Sequence, residues 1–215
     1  MTRARPAAAS QPARASNASN GLGHRSRTIA KLITEISGPA VCVVASLVVI
    51  GVRNSNHGAG AAWGGVAAIL CAGVPMAYIV KGARDGKWSD HHVGEREHRG
   101  VPLTIGVVSV SVAIALLVAV HAPRELIALV VAMLAGLVAV LAVTRFWKVS
   151  IHTSVAAGFL GVLLVVYGPW ALAGTAVLVA VAWSRTVLDA HTWPQVVVGA
   201  AIGFAAAVTV FPALR

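Results

Sequence analysis

Charge is scarce in this chain. Of its 215 residues only 11% are Asp, Glu, Lys or Arg, while 58% are hydrophobic. Soluble domains are about a quarter charged, so a water-soluble core is excluded: too little polar surface would be left to cover it. Between Ile36 and Val80 the single ionised side chain is Arg53, and between Val101 and Val143 there are only Arg124 and Glu125. From Val149 to Trp183 there are none. The chain also lacks a short apolar run close to its start. A secretory signal needs one beside a small-residue cleavage site, whereas here the first apolar stretch begins near Ile29 and is too long, so no cleavage is expected. Cysteine is nearly missing. Cys42 and Cys71 each lie inside an apolar stretch, where thiols behave as small apolar groups and say nothing of redox compartment.

What is present is a series of apolar segments cut by Gly, Pro and polar residues, at roughly 29–52, 59–80, 102–121, 124–143, 153–168, 169–184 and 194–212. A helix of about 20 apolar residues crosses the hydrocarbon core and satisfies its own backbone groups there. The expected fold is therefore all-α, a polytopic transmembrane bundle of six to seven spans over 29–215, behind a disordered basic tail over 1–28. The fifth and sixth segments are short and share the break Tyr167-Gly168-Pro169-Trp170, which also fits a hairpin. An even number of crossings separates the tail, 81–101, 144–152 and 184–192, so all four share one side. That side holds 14 of the 17 Lys and Arg residues, and the positive-inside rule makes it cytoplasmic, in a bacterial-type cell membrane.

Polar residues gathered at one membrane face beside helix ends call for a functional reading. The first cluster, 81–99, holds Lys81, Arg84, Lys87, Arg96 and Arg99 among Asp90, Glu95 and Glu97. A zinc site from Asp90, His91, His92 and His98 is disfavoured, because neighbouring histidines diverge and no metal-ligand spacing occurs. The second cluster is Arg145, Lys148, Ser150 and His152; the third is Ser184-Arg185, then His191 and Gln195. On a helix starting near His191, Gln195 falls one turn on, on the same face, where its amide oxygen can hold the imidazole. Two histidines, several cations and a histidine-orienting side chain are what a phosphate ester site requires. Cations and helix N-termini neutralise the phosphoryl oxygens. One neutral His can attack phosphorus while another protonates the leaving oxygen.

In these clusters the chain resembles the type-2 phosphatidic acid phosphatase superfamily of integral membrane lipid phosphatases, whose signatures run K-x6-R-P, P-S-G-H and S-R-x5-H-x3-D. Ser184-Arg185-x5-His191 matches the third, with Gln195 in place of the aspartate. Ser150-Ile151-His152 keeps the Ser and His of the second without its Pro and Gly. The first is looser, since Lys87 precedes Arg96 by nine positions and Gly100, not Pro, follows Arg99. The resemblance covers roughly 81–212. It implies that His191 is the nucleophile, His152 the general acid, and Lys87, Arg185 and Arg96 or Arg99 the phosphate clamp, with Ser150 and Ser184 beside it and Asp90 and Lys148 in support. It implies no metal and no cofactor. Gln195 can set the histidine tautomer but brings no charge to a developing imidazolium.

The expected function is removal of phosphate from a phospholipid or isoprenoid phosphate, with the bilayer and a membrane lipid as partners and no nucleic acid. The alternative is a non-catalytic relative that binds or transports an anionic lipid. A channel or transporter would place ionisable residues in mid-span, which these spans nearly lack. Gly-x-x-x-Gly at Gly60/Gly64 and Gly199/Gly203 fits close packing within the bundle or between subunits; oligomeric state stays open.

Overall fold

Apolar segments in lipid must close their backbone hydrogen bonds internally, and helix is what these segments form. The structure, a computed structural model, describes residues 13–53, 57–86 and 100–215. Among them every regular element is helical: α1 (Ala13–Ile36), α2 (Pro39–Arg53), α3 (His57–Ala68), α4 (Val74–Arg84), α5 (Gly100–Ala119), α6 (Arg124–Thr144), α7 (Ile151–Tyr167), α8 (Thr175–Val187) and α9 (Trp193–Leu214). Five helical stretches are long and apolar enough to cross a membrane, or six when the bent pair α1–α2 counts as one span. The protein is an integral membrane helix bundle.

The first span is broken rather than straight. Ser37 turns its hydroxyl back to the Ile33 carbonyl, and Gly38 and Pro39 follow; such back-bonding and a proline without an N–H both end a helix. The axes on either side differ by 41°. Helix α1 starts at Ala13, inside the segment read as a tail, and it packs along α8.

Helices α3 and α4 are joined by a π-helical turn, Ile69–Gly73. Pro75 leaves one of its carbonyls open. In the π register the Leu70 carbonyl would accept from the residue five on, which is Pro75 and has no N–H. The Ser109 hydroxyl of α5 donates to that carbonyl instead, at 2.7 Å.

Residues 151–187 fold back on themselves. Gly168 takes a left-handed φ of 70°, which glycine adopts at no steric cost. A 3₁₀ segment, Gly168–Gly174, then climbs beside α7, so that a Cβ on Gly174 would lie 3.1 Å from the Leu160 side chain. Helix α8 returns, and α9 then runs parallel to α7. Ser150 meets Gln195 at one end, and Arg215 reaches the Val165 carbonyl at the other.

Between α7 and α9 there is no room for side chains. A Cβ on Gly199 would strike the Ser150 carbonyl, and one on Gly203 the Ser154 carbonyl. A Cβ on Gly64 would likewise lie 2.8 Å from the Leu47 carbonyl oxygen of α2. Both glycine pairs therefore serve packing inside the bundle. In lipid this close approach replaces the hydrophobic drive that water would supply. Val101, Val108 and Val112 of α5 face outward, as lipid contact requires. Exposed Phe146, Trp147 and Trp193 ring one end of the bundle, and Tyr167 and Trp170 the other, as aromatic side chains do at the two membrane interfaces.

Candidate active site

The polar end of the bundle is assembled by three helix termini. Ser150 is the N-cap of α7 and its hydroxyl accepts from the Thr153 N–H. The Ser150 N–H donates to the Gln195 carbonyl at 3.2 Å, and the Thr153 hydroxyl to the Val196 carbonyl at 2.9 Å. The first turns of α7 and α9 are thereby stitched side by side. Two parallel helices thus direct the positive ends of their dipoles and several N–H groups toward one locus.

The third terminus is the C-terminal end of α8. The Arg185 carbonyl accepts from both Ala190 and His191 N–H groups, each at 3.1 Å. That double bond pattern curls the chain, with Asp189 in a left-handed conformation (φ 55°), and it explains the five-residue spacing between Arg185 and His191. Thr192 then caps α9 in a reciprocal box with Gln195. Asp189 faces away from this work: it pairs with Arg27 of α1 at 3.0 Å, both side chains being exposed.

Gln195 Oε1 lies 3.2 Å from the Thr192 N–H and 3.1 Å from His191 Nδ1. The Thr192 N–H can only donate, so the amide oxygen is the atom at that position. The same oxygen must then accept from His191, which places the imidazole proton on Nδ1 and the ring lone pair on Nε2. The predicted contact between these two residues is present. It arises from a capping box, with His191 just ahead of the cap rather than on the helix itself.

His152 and His191 are both buried and both line one largely apolar cavity of 430 Å³. The cavity descends between α2, α4, α5, α6, α7 and α9, past Val110, Leu129 and Val162. From His152 to Val162 along α7 is about 15 Å. It is a polar mouth on an apolar shaft.

The other predicted residues sit behind or beside this mouth. Ser150 and Ser184 are fully buried, and their hydroxyls serve the α7 cap and the Val181 carbonyl rather than the cavity wall. Arg185 is buried next to them, and Lys148 is half-buried in the link before Ser150. Lys87, Asp90, Arg96 and Arg99, with His91, His92 and His98, lie outside the described residues; the flanking helices α4 and α5 both line the cavity. Among the described residues no cluster of three or more His, Cys, Asp or Glu could hold a metal.

Thr34 and Glu35 were not singled out from sequence, yet both stand on the cavity wall. Glu35 is the only carboxylate among the described residues that line it. The available signal was a polar pair directly before the helix break Ser37-Gly38-Pro39. No family model, curated protein or solved structure matches this chain.

Proposed function

We propose that the protein is a metal-independent lipid phosphatase that cleaves a phosphomonoester or diphosphate of a phospholipid or isoprenoid through a phosphohistidine. One observation carries this reading: two buried histidines share the polar mouth of an apolar cavity, flanked by two helix N-termini and Arg185. The lipid tail occupies the shaft and the phosphate meets the helix N–H groups at its mouth, with the Arg185 charge behind them.

His191 Nε2 donates its lone pair to phosphorus as the P–O bond to the lipid alcohol breaks. His152, entering protonated, gives its proton to that oxygen. Water then attacks the phosphohistidine, His152 takes the water's proton, and inorganic phosphate leaves with His191 restored. Gln195 holds the ring throughout but contributes no negative charge. Glu35 is the carboxylate among the described residues that lines the same cavity. The excess of Lys and Arg in the loops at this end favours a cytoplasmic mouth by the positive-inside rule.

Gln195 also favours a second reading, a non-catalytic relative that binds an anionic lipid without turning it over. Hydrolysis separates the two. Purified protein should release phosphate from a lipid phosphate with EDTA present, and vanadate, which takes the shape of the phosphoryl transition state, should block it. Strict dependence on an added divalent ion would overturn the mechanism.

A further inference from the structure

The cavity is not walled evenly. Toward α6, α7 and α9 its lining is buried, as at Leu129, Ala132, Val162 and Ala207. Toward α2 and α4 it is not: Val41 lines the cavity and is yet 51% exposed, and Ala40 and Met76 are half-buried. A second, apolar groove lies on the outside of the bundle here, lined by Val44, Ala68, Ile69 and Gly73. Ala40, Ala72 and Met76 line both spaces, so a single layer of side chains separates the cavity from lipid. The glycines of α2 and α3 explain why the gap is at this end. Away from the mouth the two helices are pressed together, where a Cβ on Gly51 would strike the Gly60 carbonyl and one on Gly64 the Leu47 carbonyl. Nearer the mouth α2 meets the π turn, but it makes no comparable packing with α4 beyond. Helices change course at such turns, and the two spans part in a V toward the polar end.

We infer that this gap is a lateral portal: the acyl or prenyl chain of a phosphorylated lipid slides from the bilayer into the cavity between α2 and α4, past Met76. The passage is apolar throughout and faces the hydrocarbon of the membrane, which selects a lipid chain as its guest. A lipid entering from water would expose its whole tail to solvent, whereas through this gap the tail stays in apolar surroundings. Ala40 and Ala72 leave room for it. Met76 is unbranched and flexible, so it can swing aside without moving the backbone. The phosphate on the guest rests on the proposed function; the passage itself rests on the packing.

The experiment uses the full-length protein in phosphatidylcholine vesicles and a fluorescent long-chain alkyl phosphonate, whose P–C bond is not cleaved. Association and dissociation rates are read in stopped flow, and Kd at equilibrium. A portal sets rates and not affinity. Ala40→Phe and Met76→Trp should therefore slow association and dissociation alike, by about tenfold, the scale on which one overpacked side chain raises a barrier, and leave Kd unchanged. Met76→Ala should speed both. Val112→Phe, which adds bulk on the lipid-facing side of α5, should alter neither. Parental association rates in Ala40→Phe and Met76→Trp would overturn the inference, since the chain would then enter elsewhere. A weakened Kd at the parental association rate would also overturn it, by reducing these residues to holders of the bound tail. Should the bulky variants melt well below the parent, Met76→Ala decides, and parental rates there would overturn the inference. Phosphate release from a lipid phosphate by the parent is measured alongside. No release, with the phosphonate rates as described, removes the phosphatase reading and keeps the portal; a parent that binds no phosphonate removes the portal.

Discussion

A single oxygen on Gln195 accepts from the Thr192 N–H and from His191 Nδ1, so helix capping and the histidine tautomer depend on one another. Glutamate has the same length and would accept both bonds while adding the charge that the amide lacks. If imidazolium character develops as phosphorus is attacked, Gln195→Glu should raise kcat by about tenfold, a gain of about 1.4 kcal/mol in the barrier; steady-state kinetics on one lipid phosphate would show it. A fall in kcat at unchanged melting temperature would mean that the neutral amide suits this site. The His191–Gln195 contact was legible because a spacing of four places side chains together near a helix start. Thr34 was not, since its partners Ser184 and Arg185 are distant in sequence and a buried hydroxyl in an apolar run resembles any other small polar residue. The two serines show the reverse. Their place in recurring motifs drew attention, yet their hydroxyls close local helix bonds.

Elements were legible where lipid imposes one solution. A long apolar run must be helix, and the positions of α5, α6 and α9 follow from it. Departures from straight helix were less so, because each depends on a neighbour. The π turn at Ile69–Gly73 needs Ser109 of another helix to satisfy a carbonyl. Gly199 and Gly203 fitted two kinds of contact by spacing, and the adjoining Ser150 and Ser154 carbonyls decide for the α7–α9 seam. That seam sets the distance between the histidine-bearing helix starts. Gly203→Ala should force the helices apart, at a cost of about 1–3 kcal/mol for overpacking. The expected outcome is a lower melting temperature and a sharp loss of phosphatase activity. An alanine variant with parental stability and turnover would show that the seam is looser than its geometry.

At the scale of the molecule, the bundle separates two chemistries along one axis: charge and hydrogen bonding at the mouth, an apolar shaft below. Val162 lies well down the shaft, about 15 Å along α7 from His152. Filling that depth with Val162→Phe should lower kcat/KM for long-chain substrates relative to short-chain ones by about tenfold, roughly the range one misfitted apolar group commands. An unchanged ratio would place the lipid tail outside the cavity. Arg124 marks the opposite end, where its Nε donates to the Leu214 carbonyl at 2.9 Å, so its removal should leave turnover alone. The measurement that bears most directly on the account is phosphate release in detergent with EDTA, over phosphatidate, phosphatidylglycerophosphate and polyprenyl mono- and diphosphates, by the parent, His191→Ala and Arg124→Ala. The account predicts release from at least one lipid by the parent and by Arg124→Ala, and none by His191→Ala. Full release by a folded His191→Ala variant, or none from any lipid by the folded parent, would contradict it.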